Sequence, residues 1–385
     1  MARDPSSAST EAGDGIDAAT LRERLVDGES VHLLDVRNRD EREEWRIDAP
    51  ASTAIPYMRF VAAQATDGVA DLAAALPDDE TVVAVCPRGE ASAEVAALLR
   101  EVGVDSVNLD GGMEGWARLY ESTVVSEDPT VVQYLRPSSG CVAYLVVDDG
   151  EAAVVDPLRA FADRYVADAA DHGADLVYAL DTHVHADHVS GVRDLADRGV
   201  EPVLPAGETD RGLADPERFT LLDPGEAFDV GGVPVDTVAA PGHTTETTAY
   251  RVGDVLLTGD GLFTERVPRP DLEAGAEGAE AMAGELYATL TDRFASLSDD
   301  LVVAPGHVEP DATVRGPFVA RLGDLRERLP AFDRDREAFV AYVLDRMGPR
   351  PANHERVIAV NLGRDSVDDE EAFELELGPN NCAAG

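Results

Sequence analysis

Residues 181–188 read DTHVHADH and follow directly on the apolar run LVYAL at residues 176–180. Three imidazoles and one carboxylate fall within residues 183–188, at the point where a predicted strand ends and a loop begins. Functional groups of layered α/β proteins gather at such strand ends. Imidazole together with carboxylate is a donor set that suits zinc, iron or manganese rather than magnesium or calcium. The stretch therefore predicts a transition-metal site.

Three more ligand-type side chains follow apolar runs further along the chain. His243 comes after TVAAPG, Asp260 after VLLTG and His307 after LVVAPG. In each case a predicted strand is followed by a small turn residue and then by the ligand-type residue. Five of the eight histidines of the chain belong to this combined set, whereas a single histidine would be interpreted as an ordinary core or surface residue. The recurrence at strand ends therefore makes the prediction of a metal site specific.

The composition indicates a folded protein with an acidic surface. The chain has 385 residues, 44% of them hydrophobic, so two domains with ordinary cores are expected. The 76 acidic and 32 basic residues give a net charge of −44, and all 32 basic residues are arginine. Such a surface would repel nucleic acid and anionic lipid, so neither is expected as a partner. A salt-rich, halophilic cytoplasm, which would screen the self-repulsion, is the predicted habitat.

The sequence shows no recognisable targeting signal and few cysteines, so a cytoplasmic location is expected. No run approaches the roughly 20 apolar residues of a membrane helix, and the N-terminus lacks the apolar segment of a secretory signal. Residues 1–14 are rich in Ser, Ala, Asp and Gly and predict a disordered tail. The three cysteines are far apart in sequence and do not indicate a disulfide framework.

The first part of the chain alternates predicted strands and helices. VHLLDV (31–36) and TVVAVC (81–86) are apolar runs, and ASAEVAALLREVG (91–103) has a helical pattern. Ser92 is the expected N-cap of that helix. The alternation predicts a parallel sheet covered by helices, in a domain over residues 15–122.

The polar stretch ESTVVSEDPT (121–130) is predicted to be the linker to a second domain. Beyond it, the runs VVQYL, CVAYLVV and AAVVD are separated by turn signals and predict antiparallel strands. From Arg321 onwards the pattern is helical and ends in an acidic, less regular tail. We therefore expect the second domain over residues 123–320 and a helical extension over residues 321–385.

The three cysteines have different sequence surroundings. Cys86 ends a predicted strand and is followed by PRGEAS (87–92) and a helix, so backbone N–H groups and a helix N-terminus near the sulfur favour the thiolate. Cys86 is therefore a candidate for chemistry. Cys141 alternates with apolar neighbours in a predicted strand and is expected to be structural. Cys382 lies in a flexible-looking tail, where the sequence requires no role for it.

The histidine-bearing segments, spread over residues 127–310, resemble the metallo-β-lactamase superfamily. The resemblance implies an αββα four-layer sandwich with a metal at one edge. Two families within it fit best, persulfide dioxygenase (sulfur dioxygenase) and glyoxalase II, which is a thioester hydrolase. A persulfide-dioxygenase-like site implies one Fe(II) per chain, held by His183, His243 and Asp260. These two imidazoles and one carboxylate would leave positions open for O₂ and substrate.

A glyoxalase-II-like site implies two metal ions, commonly zinc, and hydrolysis by a hydroxide activated between them. Asp260 would bridge the two ions, and His185 would join the ligands of the first. The residues implied as further ligands of the second ion are Asp187, His188 and His307. Both families carry this whole set, so the ligand residues alone do not separate the two interpretations.

A short segment after Asp260 favours one of these two families. Arg269–Pro270–Asp271 resembles the Arg–Thr–Asp segment found near the same place in persulfide dioxygenases, although proline replaces threonine. The resemblance implies that Arg269 and Asp271 bind substrate, and it favours the dioxygenase.

Three motifs in the first part of the chain resemble a rhodanese domain, which implies a three-layer α/β fold. LLDVR (33–37) resembles its opening motif, CPRGEAS (86–92) its active-site loop and LDGGMEGW (109–116) its closing motif. The resemblance implies that Cys86 takes a sulfane sulfur from a donor and holds it as a persulfide. Arg88 is assigned as a catalytic residue, because the arginine usual just before the serine of such loops is replaced by alanine here.

Together the two resemblances imply an enzyme that oxidises the persulfide of a low-molecular-weight thiol to sulfite with O₂, joined to a sulfurtransferase that takes sulfur from a sulfane-sulfur donor. Two alternatives stay open: a glyoxalase-II-like hydrolase fused to a rhodanese, and a non-catalytic sulfur-carrier or sulfide-responsive binding protein with a structural metal. The surplus of ligands argues against the last, because structural sites are usually closed by four ligands. The carrier thiol, the direction of sulfur flow and homo-oligomer formation are left open.

Overall fold

The computed structural model describes residues 15–309, 311–378 and 383–384. The tail expected at residues 1–14 and Cys382 lie outside the described residues. The chain divides into two compact units, of which the first runs to Leu119 and includes Asp311–Val314, and the second begins at Tyr120. Within the described ranges, no helix combines the length and the apolar character needed to span a bilayer.

The first unit is built on a five-stranded sheet in which all neighbours are parallel, in the order β1-β5-β4-β2-β3. Its strands are β1 (Gly15–Ile16), β2 (Val31–Asp35), β3 (Ser52–Ala54), β4 (Thr81–Val85) and β5 (Ser106–Leu109). Its helices are α1 (Ala18–Val26), α2 (Arg39–Glu44), α3 (Tyr57–Gln64), α4 (Val69–Ala73), α5 (Glu90–Glu101) and α6 (Gly112–Ala117). The parallel sheet predicted from strand–helix alternation is therefore confirmed.

Successive residues of β2 point to opposite faces of this sheet. Leu33 belongs to an apolar cluster with residues of α1 and α6, such as Trp116. Leu34 belongs to a second cluster with residues of α3 and α5, such as Phe60 and Leu99. Both faces of the sheet are therefore covered by helices, which is the predicted three-layer arrangement.

The helix after the Cys86 strand starts earlier than the sequence predicted. Gly89 is the N-cap of α5, with a positive φ of 91° that glycine adopts without steric cost. The prediction that Ser92 caps the helix is wrong, because Ser92 lies within the first turn. Its buried hydroxyl is instead 3.1 Å from Cys86 Sγ and 2.7 Å from Asn108 Oδ1.

The second unit contains two sheets. The first has seven strands in the order β12-β11-β10-β9-β8-β7-β6: β6 (Glu121–Glu127), β7 (Thr130–Leu135), β8 (Val142–Asp148), β9 (Glu151–Val155), β10 (Asp175–Leu180), β11 (Glu201–Pro205) and β12 (Thr220–Leu222). The second has six, in the order β13-β14-β15-β16-β18-β19: β13 (Ala227–Val230), β14 (Val233–Ala239), β15 (Thr248–Val252), β16 (Val255–Gly259), β18 (Val302–Pro305) and β19 (Ala320–Arg321). A short pair joins β17 (Val267–Pro268) to β20 (Ala383–Ala384).

Helices cover the outer faces of both sheets. The α-helices of this unit are α7 (Ala162–Asp171), α8 (Val192–Asp197), α9 (Gly275–Ala288), α10 (Leu322–Arg328), α11 (Arg336–Asp345), α12 (His354–Asn361) and α13 (Asp369–Leu375). Shorter 3₁₀ and π turns occur at Arg159–Phe161, Ala206–Thr209, Pro216–Arg218, Thr289–Arg293 and Phe294–Ser296.

The two sheets share one apolar core. It contains Val155 and Leu180 from the first sheet together with Tyr250 and Leu257 from the second. A second cluster packs α7 and α8 on the outer face of the first sheet, and a third packs α9, α10 and α11 on the outer face of the second. This layering confirms the αββα sandwich expected from the sequence.

The start of the second unit differs from the expectation. The antiparallel strands predicted after residue 130 are confirmed as β7, β8 and β9. The linker predicted at residues 121–130 is wrong, because residues 121–127 form β6, which pairs antiparallel with β7. As the last strand of its sheet, β6 has one neighbour and is largely half-buried or exposed, with Val124 43% exposed. A strand with so little buried surface needs few apolar residues, so its amino-acid composition is similar to that of a linker.

The inter-sheet core generates a test of this architecture. Leu257→Ala on β16 removes a side chain with 0% exposure and leaves a cavity, so the free energy of unfolding should fall by about 2–5 kcal/mol. Val124→Ala on the edge strand is the matched control and should change that energy by about 0.5 kcal/mol or less. Urea unfolding followed by far-ultraviolet circular dichroism checks both variants. Equal losses would contradict the packing of Leu257 between the sheets.

Candidate metal centre

The predicted ligand residues come together at one edge of the second unit. Neighbouring strands β16 and β18 are parallel, and Gly259 is opposite Pro305 in the ladder. Asp260 and His307 therefore follow adjacent strand ends. The seven side chains are each at most 4% exposed: His183, His185, Asp187, His188, His243, Asp260 and His307. Burial of so many polar groups is costly unless each one is hydrogen-bonded or bound to a cation.

One group consists of His183, His243 and Asp260, whose ligand-type atoms lie within 4.8 Å of one another. Asp260 Oδ2 is 3.5 Å from His243 Nε2 and 4.0 Å from His183 Nε2, which is longer than a hydrogen bond. Among the residues described, neither Nε2 atom has a hydrogen-bond partner. Two buried nitrogens and a carboxylate are thus directed at one point, an arrangement that fits a bound metal ion.

The opposite nitrogen of each imidazole is held by the protein. His243 Nδ1 lies 2.8 Å from the carbonyl oxygen of Arg269, to which it donates. His183 Nδ1 lies 2.8 Å from Thr182 Oγ1, and the Thr182 hydroxyl donates to Asp156 Oδ2 at 3.0 Å. A hydrogen bond at Nδ1 fixes the tautomer and leaves the Nε2 lone pair for a metal.

Burial sets the protonation of this group. Burial lowers the pKa of His243 to about 4, and burial together with His185 lowers the pKa of His183 well below its usual value. Both imidazoles are therefore neutral near pH 7, as metal ligation requires. Burial, with the neighbouring Asp187 carboxylate, raises the pKa of Asp260 to about 7.

A second group is centred on Asp187. Its Oδ1 lies 3.3 Å from His188 Nδ1 and its Oδ2 lies 3.4 Å from His307 Nδ1. The three residues implied as further ligands of a second ion therefore lie next to one another. Two overlapping sets of ligand-type atoms share Asp187: one with His185 and His188, the other with Cys141 and His307.

Cys141 is a site residue that the sequence interpretation missed. It precedes β8 rather than lying inside it, forms a backbone bridge with His307, and its Sγ is 3.1 Å from Asp187 Oδ2. Burial and the Asp187 carboxylate raise the pKa of the Cys141 thiol well above its usual value, so the thiol donates to Asp187. The sequence signal was its place beside the PSSG turn (137–140), which sets it at the start of a strand, whereas the histidines follow strands.

The cysteine loop of the first unit holds its sulfur with local donors. Cys86 follows β4 and is 3% exposed. Its Sγ accepts from the backbone N–H of Gly89 at 3.1 Å and lies 3.1 Å from Ser92 Oγ. The Arg88 side chain is 67% exposed and 4.0 Å from Glu90, so its catalytic role stays a prediction.

Comparison with protein families gives two matches on this chain. Residues 17–119 match the rhodanese-like domain, and residues 136–307 match the metallo-beta-lactamase superfamily. A hydroxyacylglutathione hydrolase of Halorhodospira halophila is 36% identical over 208 residues, covering 51% of this chain and 69% of that protein. The chain belongs to the metallo-β-lactamase superfamily.

Other members of the superfamily extend the comparison. The mitochondrial persulfide dioxygenase ETHE1 of Bos taurus is 26% identical over 253 residues, covering 64% of this chain and 92% of that protein. The crystal structure of ETHE1 from Myxococcus xanthus is 25% identical, with a TM-score of 0.52 and coverage of 64% of this chain and 100% of that one. A metallo-beta-lactamase structure from Staphylococcus aureus, 21% identical with a TM-score of 0.57 and coverage of 62% and 73%, shares the fold.

In this metallo-β-lactamase unit, His185 is not in the group of His183. Its Nε2 lies 3.1 Å from Asp156 Oδ1 and 3.6 Å from Asp181 Oδ1. Burial alone would lower the pKa of His185, but the carboxylates of Asp156 and Asp181 raise it well above its usual value. The Asp156 carboxylate at the end of β9 thus holds the imidazole, and the Asp181 carboxylate at the end of β10 lies close to it. The implied ligation of a first ion by His185 stays a prediction.

Arg269 and Asp271 form part of the support of the metallo-β-lactamase centre. The Arg269 guanidinium is buried and donates to Asp271 Oδ1 at 2.7 Å and to the carbonyls of Gly348 and Pro349 at 2.9 and 2.7 Å. Asp271 also accepts from Arg350 at 2.7 Å. These bonds fix the turn whose carbonyl orients His243, while substrate binding by Arg269 and Asp271 stays a prediction.

The raised pKa of Asp260 makes metal binding pH-dependent. The carboxylate must be unprotonated to bind metal, so below about pH 7 each bound ion displaces a proton, and above it none is displaced. We expect the apparent Zn(II) affinity to fall about tenfold per pH unit below pH 7 and to be level above it. Chelator competition from about pH 5.5 to 8 measures this. An affinity that stays constant across that range would contradict the prediction.

Proposed function

We propose that this protein is a persulfide dioxygenase with a sulfurtransferase unit in the same chain. It takes the persulfide of a low-molecular-weight thiol, O₂ and water, and forms the free thiol and sulfite. The terminal sulfur gives up four electrons to O₂, and the S–S bond breaks. The single observation that carries the proposal is the group of His183, His243 and Asp260, two imidazoles and a carboxylate with both Nε2 atoms unpartnered among the described residues.

The donor set fits one Fe(II) ion. Two histidines and a carboxylate form the facial triad of non-haem iron oxygenases, in which the iron supplies open positions for O₂ and substrate. His183 and His243 present Nε2 because Thr182 and the Arg269 carbonyl hold their Nδ1 atoms. All three residues are nearly fully buried, so an ion bound to them would be shielded from bulk water. The likeness to persulfide dioxygenases over most of their length supports the same assignment.

A two-metal thioester hydrolase is the second candidate. The Asp187 group supports it, because Asp187, His188 and His307 lie together as a second-ion site requires. The similarity to a hydroxyacylglutathione hydrolase at 36% identity supports it as well. Against it stands the Cys141 thiol, which, while protonated, donates to Asp187 Oδ2 and so competes with a second ion for that oxygen.

Metal content and O₂ uptake separate the two candidates. Protein purified without added chelator should contain about one Fe per chain and consume O₂ with glutathione persulfide as the probe. His243→Ala should lower the rate of O₂ uptake by at least about 100-fold, since loss of a ligand exceeds the usual effect of losing its support. The exposed His172→Ala is the matched control and should keep the rate. Two Zn per chain with no O₂ uptake would overturn the dioxygenase and favour the hydrolase.

The rhodanese-like unit is assigned the transfer of sulfane sulfur through Cys86. Cys86→Ser should abolish transfer of sulfur from thiosulfate to cyanide, because the hydroxyl cannot hold the sulfur as a persulfide, whereas O₂ uptake with glutathione persulfide should be unchanged. Thiocyanate formation and oxygen-electrode traces on the same preparation measure the two activities. If O₂ uptake fell together with thiocyanate formation, the metal centre would depend on Cys86, and the assignment of separate roles would be wrong.

A further inference from the structure

The loop that carries the metal-site histidines is held by side chains from the far end of the chain. Asn361, at the end of α12, donates through Nδ2 to the carbonyl of His185 at 3.0 Å and to that of His188 at 2.9 Å. Its Oδ1 accepts from the backbone N–H of Ser190 at 2.9 Å. One amide thus makes three hydrogen bonds to a six-residue segment, out of the four that an asparagine side chain can form with good geometry.

A second contact holds the same loop. Glu376, just after α13 and 2% exposed, accepts from the backbone N–H of Val189 at 2.8 Å through Oε1. Its other oxygen forms an ion pair with Arg136, whose side chain is fully buried. The N–H of Arg136 in turn donates to the carbonyl of Cys141, the residue that contacts Asp187.

The loop needs these partners because it has no regular structure. Between the end of β10 and the start of α8, its buried N–H and C=O groups cannot be satisfied by a ladder or a helix, and buried backbone groups without partners are costly. Glu246 holds the first part, accepting from the N–H of Val184 at 3.0 Å. Asn361 and Glu376 hold the second part, which contains Asp187 and His188.

We infer that Asn361 and Glu376 are positioning residues of the metal centre, so that the helical extension after residue 321 forms part of the site. They act through the backbone of residues 185–190 and are not among the ligand-type groups found in the described residues. The inference goes beyond the proposed function, since it concerns how the loop after His183 is held rather than which reaction the centre performs. Outer partners that orient metal ligands typically change metal affinity by 10–100-fold, and a loop held by three bonds from one amide has that dependence.

Variants of the asparagine test the inference in the full-length protein. Asn361→Ala removes all three bonds, and Asn361→Asp keeps an acceptor for Ser190 but has no N–H donors for the two carbonyls. Asn353→Ala is the matched control, because its amide donates to the carbonyl of Leu375 at 2.9 Å, within the extension. It removes the same chemical group from the same helical region and leaves the bonds of Asn361 intact.

Zn(II) affinity by chelator competition and the visible spectrum of the Co(II)-substituted protein are the readouts, with thermal unfolding of the metal-free protein beside them. We expect a 10–100-fold lower Zn(II) affinity for both Asn361 variants, an altered Co(II) spectrum, and values like those of the parent for the control. The Asp variant decides the matter if the Ala variant does not fold. Parent-like affinity and spectrum in a folded Asn361 variant would overturn the inference, and so would an equal loss in Asn353→Ala.

Discussion

Burial of the ligand side chains is the constraint on which the rest of the second unit depends. The imidazoles and carboxylates of the centre are almost fully removed from water at one edge of the sandwich, and each must be compensated by a partner or a cation. The strand order brings them there, because β16 and β18 run parallel and end together. The compact inter-sheet core behind that edge keeps the strand ends in place.

The cost of burying the ligand side chains is offset by hydrogen bonds to the residues around them. Asp156 accepts from the backbone and the hydroxyl of Thr182, and that hydroxyl orients His183. Arg269 makes two kinds of contact. Its carbonyl orients His243, and its guanidinium donates to carbonyls near residue 348, in the helical extension over residues 321–385. The centre is therefore supported from segments that lie far apart in sequence, and the extension contributes to two of its supports.

The sequence predicted those features that leave a local pattern. Apolar runs followed by His243, Asp260 or His307 predicted the strand ends. The alternation of strands and helices predicted the parallel sheet. Edge strand β6 was missed, because a strand with a single neighbour carries little apolar signal.

Contacts between residues far apart in the sequence could not be predicted from local sequence patterns. Cys141 and Asp187 are 46 residues apart, and Asn361 and His185 are 176 apart, yet each pair is in hydrogen-bond contact. Such pairs depend on how the layers pack, so residue types and spacing along one chain do not specify them.

The two halves of the centre differ in how their charge can be balanced. Burial alone would lower the pKa of His307, but the Asp187 carboxylate raises it above its usual value, so a proton on this imidazole can neutralise Asp187. Burial lowers the pKa of both His183 and His243, so a proton is a poor partner for these two imidazoles. A metal ion can bind both neutral Nε2 atoms and the Asp260 carboxylate together. This asymmetry supports the proposed single ion at His183, His243 and Asp260, with the negative charge of Asp187 balanced by its protein partners.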